Sequence, residues 1–241
     1  MPEATVYLVP APLDENGLNA MPASLADAIK DCQVIFAENE RSTRRFLKAF
    51  WKNFLPGEQI VIDDYEWYTI HKAEEQVLTA FREKLKERKN VAVISEAGCP
   101  GIADPGQLLV AVAQELNVRI KPLVGPSSIL LALMASGMNG QQFSFLGYLP
   151  IDQPARMQAV REAESDSAKR NCTQIFIETP YRNNQLLETL LKTCRPGTRL
   201  CVAADLTGPN EWIKTRKVED WKKDIPSLHK RPVIFLLMAG Q

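Results

Sequence analysis

Two turns in this chain could do chemistry with their backbone. The first, Ile94 to Gly106 (ISEAGCPGIADPG), holds three glycines and two prolines; the second, Gly125 to Ser128 (GPSS), follows some twenty residues later. Glycine gives a ligand clearance to approach main-chain groups, and proline stiffens the loop that presents them. In GPSS a strand passes into a helix, with Ser127 or Ser128 placed to cap the exposed amides. Asp104, just before Pro105, is equally suited to cap the helix after the first loop. Two such loops after strands of an alternating β/α chain lie at the carboxyl edge of one sheet, where open α/β sheets bind ligands. A small-molecule site is therefore expected there.

Familiar alternatives are missing. The chain has no GxxxxGK[ST], no GxSxG, and its first strand runs into VPAPLDENG rather than GxGxxG. Two histidines, His71 and His229, stand without metal-ligand spacing and read as surface or helix-end residues. The five cysteines show no CxxC pair, so buried, reduced thiols are expected rather than disulfides or zinc. Nothing resembles a signal peptide or a membrane span, and a cytoplasmic protein is expected. Formal charge is zero, so the molecule as a whole does not attract nucleic acid. Arg41, Arg44, Arg45, Lys48 and Lys52 nevertheless recur at helical spacing, either as a phosphate-facing stripe or as a solvated helix face.

Positioning such loops requires an α/β scaffold. Apolar runs at Val6–Val9, Val34–Ala37, Ile60–Ile62, Val91–Ile94 and Val118–Ile120 alternate with amphipathic stretches and predict a largely parallel sheet. The clearest helix is about His71 to Glu87, with Ala73, Val77, Phe81 and Leu85 on one face. Lys121 to Pro126 reads as a joint, dividing an N-terminal α/β domain (1–122) from a C-terminal one (123–241). The second half offers strands at Phe143–Gly147, Gln174–Ile177, Arg199–Ala204 and Val233–Met238. Helices are expected at Gln153–Asn171 and Arg182–Thr193, with a hairpin arm at Glu211–Val218. Its sheet is expected to be mixed.

The residues also carry a resemblance. Val6-Tyr7-Leu8-Val9-Pro10, Ala37-Glu38-Asn39-Glu40-Arg41, ISEAGCPGIADPG, GPSS, FSFLGYLP (143–150) and FIETPYR (176–182) stand in the order found in the tetrapyrrole methylase superfamily of S-adenosylmethionine-dependent methyltransferases, and the chain resembles its ribosomal RNA branch. That resemblance implies a two-domain α/β homodimer with S-adenosylmethionine in the cleft between domains, acting on a ribose 2′-hydroxyl of ribosomal RNA in the small ribosomal subunit. It implies cofactor contacts at Pro10, Gly98, Cys99, Pro100, Ile102, Ala103, Asp104, Ser127 and Ser128. From the second domain it implies Ile177, Leu206, Thr207, Pro232 and Val233, with Glu178 beside them. Methylation of a tetrapyrrole or other small molecule, and a non-catalytic cofactor-binding protein, are the rival readings.

The chain departs from the family pattern at several places, first in the loop after the first strand, where the usual Gly-Asn-Leu is Asp14-Glu15-Asn16-Gly17-Leu18-Asn19. The usual Glu-Asp-Thr-Arg is Glu38-Asn39-Glu40-Arg41; Arg-Glu-Leu-Thr-Lys is Ala204-Asp205-Leu206-Thr207-Gly208; and Arg231-Pro232 stands where Gly-Glu normally enters the last strand. A ribose hydroxyl is a poor nucleophile, so a carboxylate that accepts its proton would help. Glu38 and Glu178 are the candidates, each at a strand end and each followed by an arginine (Arg41, Arg182). Those arginines could hold phosphate or orient the acid, or could simply form structural ion pairs with the glutamates.

Overall fold

The computed structural model describes residues 4–70 and 74–240, which form two compact units, one ending at Ser127 and the other beginning at Ser128. The first unit holds β1 (Thr5–Val9), α1 (Leu25–Lys30), β2 (Val34–Ala37), α2 (Glu40–Phe54), β3 (Glu66–Thr69), α3 (Leu78–Lys86), β4 (Val91–Ile94), α4 (Gln107–Glu115) and β5 (Arg119–Pro122). Its five strands are all parallel, in the order β3-β2-β4-β1-β5. Alternation along the strands assigns side chains to two cores. Ile35, Ala37, Ala92 and Ile94 pack with Leu47, Phe50 and Trp51, while Val34, Phe36, Val91 and Val93 pack with Phe81, Leu85, Leu109 and Val112. Both faces are covered, which is why β2 and β4 read as unbroken apolar runs.

Two expectations are corrected here. Ile60–Ile62 is not a strand: Ile60 and Val61 are irregular and Ile62–Asp64 is a 3₁₀ turn. Only Ile62 is buried, and the two aspartates after it break the run. The fifth strand is instead β3, an edge strand whose Trp67-Tyr68-Thr69 has the aromatic and β-branched character of strands. Of the predicted helix about His71 to Glu87, residues 71–73 (His71 and Ala73 among them) lie outside the described residues; a 3₁₀ turn, not α-helix, spans Glu74–Val77 and leads into α3.

The second unit holds α5 (Ser128–Ser136), β6 (Phe143–Tyr148), α6 (Gln153–Arg170), β7 (Thr173–Ile177), α7 (Asn183–Thr193), β8 (Arg199–Ala204), β9 (Trp212–Lys217), α8 (Val218–Trp221) and β10 (Val233–Met238). The sheet is mixed, in the order β6-β7-β10-β8-β9, with β6 and β7 parallel and the other pairs antiparallel. Fully buried β10 sits at its centre. Phe176, Leu200, Val202 and Phe235 form one core with Leu186, Leu187 and Leu190 of α7. Helix α6 is started by Asp152, whose side chain accepts from Ala155 N, and stopped by Asn171 in a left-handed conformation.

Candidate active site

Three loops meet at the carboxyl edge of the first sheet. After β1, Ala11 N–H donates to Gly98 O at 2.8 Å and Gly98 N–H returns the bond to Ala11 O at 3.0 Å. Ser95 Oγ also donates to Gly98 O, and the Cys99 thiol points to Pro126 O at 3.6 Å. Gly125 packs directly on Pro10: a Cβ on that glycine would lie 2.3 Å from the proline Cβ. These bonds place Pro10, the 95–106 loop and the GPSS turn in one rim.

The 95–106 loop is backbone-rich and strained. Gly98, Gly101 and Gly106 have φ of +75°, +77° and +131°, and Ala103 holds a left-handed φ of +64°. A non-glycine residue there costs about 1–2 kcal/mol, a kind of strain found at binding sites. Ile102 stands exposed at the tip while Gly98 and Pro100 are buried. Helix α4 starts after Gly106, and no side chain caps it. Asp104 is thus not the N-cap its place before Pro105 suggested, because the left-handed turn at Gly106 intervenes. Its carboxyl is pushed up to about 7, first by burial and then by the charges of Glu38 and Glu96. Glu38 is raised too, by burial and by Glu96, against a 2.8 Å bond that it accepts from Glu96 N–H. These acids crowd one side of the rim. Burial also raises the Cys99 thiol, which makes it a neutral lining group.

No ion pair joins Glu38 to Arg41 among the described residues, which removes the structural-pair reading for that glutamate. Asn39, where the family carries an acid, keeps two jobs: its Oδ1 caps α2 by accepting from Ser42 N, and its amide donates to Glu96 Oε1 at 3.2 Å. On α2 the five basic residues part company. Arg44 is tied to Glu40 (2.8 Å) and Asp63 (2.7 Å) and stacks over Trp67 at 4.4 Å. Arg45 pairs with Glu15 at 2.7 Å. Arg41, Lys48 and Lys52 remain exposed and form no ion pair among the described residues.

The second unit has its own polar edge, where β6 and β7 end. Glu178 has a fully buried side chain, and its Oε1 accepts from Thr179 N (2.7 Å), Arg182 Nε (3.0 Å) and Arg182 Nη2 (2.7 Å). The ion-pair reading therefore holds here. Glu178 Oε2 has no partner, and neither do the buried Asn183 Oδ1 and Thr207 Oγ1 along the same edge. Leaving buried polar atoms unpaired costs about 1–3 kcal/mol each, so three together suit a site that a ligand completes. Asp205 and Thr207 have φ of +51° and +66°. Asp205 accepts a 2.6 Å ion pair from Arg231. Arg231, one of the departures from the family pattern, is thus held by an acid. Leu206 and Val233 are buried, whereas Pro232 is exposed. Sequence reasoning missed Glu96, Asn183 and the Asp205–Arg231 pair. Glu96 had a signal, as an acid inside the glycine-rich loop; the other two had none.

An all-parallel sheet with a glycine-built rim is followed by a mixed sheet with an unsatisfied polar edge. The chain belongs to the tetrapyrrole (corrin/porphyrin) methylases, whose family model matches residues 5–221. It is an S-adenosylmethionine-dependent methyltransferase. Among its relatives, ribosomal RNA small subunit methyltransferase I of Buchnera aphidicola (subsp. Schizaphis graminum) is 28% identical over 98% of this chain and 78% of its own length. The protein of the same name from Vibrio cholerae is 30% identical over 87% of this chain and 67% of its own. In structure the chain is similar to uroporphyrin-III C-methyl transferase from Thermus thermophilus complexed with S-adenosylhomocysteine. The TM-score is 0.55 at 16% identity, over 98% of this chain and 97% of that one, which establishes the shared fold. Among the described residues no helix is long and apolar enough to cross a membrane, and no cluster of acidic, histidine and cysteine side chains is arranged to hold a metal.

Proposed function

We propose that this protein transfers a methyl group to a ribose 2′-hydroxyl of ribosomal RNA in the small subunit. The observation that carries the reading is Glu178, a buried carboxylate with one oxygen saturated and the other unpartnered, in a chain whose relatives over most of its length are named for that RNA.

S-adenosylmethionine supplies, when bound, a methyl group activated by a sulfonium. The residues fit such a cofactor, because positions 98, 101, 103 and 106 take positive φ in a loop with only small side chains at those points and an exposed tip at Ile102. Pro10, Gly98, Cys99, Pro100, Ile102, Ala103, Asp104, Ser127 and Ser128 would hold it at the rim. Ile177, Leu206, Thr207, Pro232 and Val233 would do so from the second sheet. Methyl transfer needs alignment and exclusion of water more than a large catalytic apparatus. The hydroxyl proton needs an acceptor, and Glu178 Oε2 is assigned that role, with Arg182 fixing the carboxylate through Oε1. Glu38, whose Oε2 accepts from the Glu96 amide, is the alternative base. Arg41 and its neighbours Lys48 and Lys52 would meet RNA phosphates, whereas Arg44 and Arg45 are engaged within the protein. The protein would act as a homodimer; exposed Leu130 and Met134 on α5, with Phe143 and Leu146 on β6, support self-association.

The test is incorporation of labelled methyl from S-adenosylmethionine into undermethylated small ribosomal subunits, with free tetrapyrroles in parallel. Label is expected in the RNA and is expected to fall by about 100-fold or more in Glu178→Gln. Label in tetrapyrroles alone, or none despite bound cofactor, overturns the proposal.

A further inference from the structure

Beside Glu178 and Arg182 lies a feature that the methyl-transfer chemistry does not use. Tyr181 is 69% exposed at the turn before α7, and its ring meets that of exposed His229 at 6.0 Å and 71°. The segments that carry the two rings are bonded to each other. Lys230 N–H donates to Pro180 O at 3.0 Å, Leu228 N–H donates to Asn184 Oδ1 at 2.8 Å, and Asn183 Nδ2 donates to Arg231 O at 2.7 Å. Lys230 takes a left-handed φ of +62° to make its bond. The segment 228–231 is thus clamped to 180–184, which holds the backbone under the two rings together.

Arg182 is committed to Glu178, but Lys230 is exposed and forms no ion pair among the described residues. An exposed tyrosine ring, with a lysine next in sequence to the histidine that meets it, matches an unpaired nucleobase and its phosphate. Single-stranded RNA is recognised by stacking splayed bases on aromatic rings while cations track the backbone. An apolar ligand would not need the ammonium, and a duplex would not expose a base face.

We infer that Tyr181, backed edge-on by His229, is the stacking platform for an unpaired base at or next to the modified nucleotide, with Lys230 on its phosphate. The platform shares its turn with Glu178, so a stacked base delivers its sugar to the edge that carries the unpartnered carboxylate oxygen. This inference rests on the ribosomal RNA reading.

The experiment uses the full chain and undermethylated small ribosomal subunits, with KM for the subunit and calorimetric affinity for S-adenosylhomocysteine measured in each variant. Stacking on one ring is worth about 5- to 150-fold in binding, so Tyr181→Ala is expected to raise the subunit KM by about that factor. Tyr181→Phe should keep the wild-type value within about twofold, since the ring and not the hydroxyl stacks. His229→Ala should show a smaller rise in KM, and Lys230→Ala a KM that depends less on salt. Affinity for S-adenosylhomocysteine should stay unchanged throughout. An unaltered KM in Tyr181→Ala, a loss in Tyr181→Phe as large as in Tyr181→Ala, or a parallel loss of nucleoside affinity overturns the platform while leaving the RNA reading intact. Wild-type protein that methylates no subunit overturns both.

Discussion

Gly125→Ala tests the rim at its tightest point. An added methyl would lie 2.3 Å from both Cβ and Cγ of Pro10, and ordinary contact begins at 3.4 Å, so the two loops must separate by about 1 Å. Neither side yields by rotating: the proline ring has no free χ1, and the new methyl is fixed to the main chain. Overpacking of this kind costs about 1–3 kcal/mol. If the strain is relieved by moving the GPSS turn, that cost appears in cofactor binding, as a loss of about 5- to 150-fold for S-adenosylhomocysteine by calorimetry. If the native packing is kept, it appears as a lower midpoint in urea. Gly140→Ala is the control, because its Cβ would meet nothing within 4 Å. A Gly125→Ala protein with wild-type nucleoside affinity and wild-type stability would refute the claim that these loops are locked together as a binding rim.

Other expectations follow from single residues. For Asp104, the carboxyl is raised to about 7 from an ordinary 3.8, so between those values the native state holds a proton that the unfolded chain has released, and stability falls as pH rises. Asp104→Asn should therefore match wild type in thermal midpoint below pH 4 and exceed it at pH 8; equal midpoints at both ends would contradict the crowding of Asp104, Glu38 and Glu96. Arg182→Met should destabilise the fold by about 3–5 kcal/mol in urea titrations, because it leaves a fully buried carboxylate unpaired, while the double variant with Glu178→Leu should recover most of the deficit. Additive effects would show that the pair is not coupled. On α2, Arg44→Ala should cost about 1–2 kcal/mol of stability by removing the stacking on Trp67 and the two carboxylate pairings. Joint replacement of Arg41, Lys48 and Lys52 by Ala should instead leave stability within about 0.5 kcal/mol. That triple variant should make RNA binding less salt-dependent, by about 0.7–0.9 in log–log slope for each phosphate no longer neutralised.

Much of this architecture was legible because two-sided burial leaves a plain mark. Val34–Ala37 and Val91–Ile94 must be apolar throughout when helices cover both faces, so they read as strands without ambiguity. The ISEAGCPGIADPG loop was legible for a related reason: three of its glycines take positive φ, a demand few other residues meet. Edge elements were harder to see. Trp67-Tyr68-Thr69 is half-exposed on every residue and lacks the alternation that marks a half-buried strand, while Ile60-Val61-Ile62 imitates a core run although only Ile62 is buried. Asp104 shows how local signals mislead, since Asp-Pro is a sound helix start until Gly106 adds a left-handed residue between it and the helix. Pairings distant in sequence, Asp205 with Arg231 or Asn39 with Glu96, depend on how strands are ordered in each sheet, which residue types alone do not encode.

A crystal structure of the protein soaked with S-adenosylhomocysteine tests the central claim most directly. The account predicts adenosine density against the main chain of Gly98 to Asp104 and the Gly125 to Ser128 turn. Density elsewhere on the surface, or none at saturating nucleoside, would contradict it.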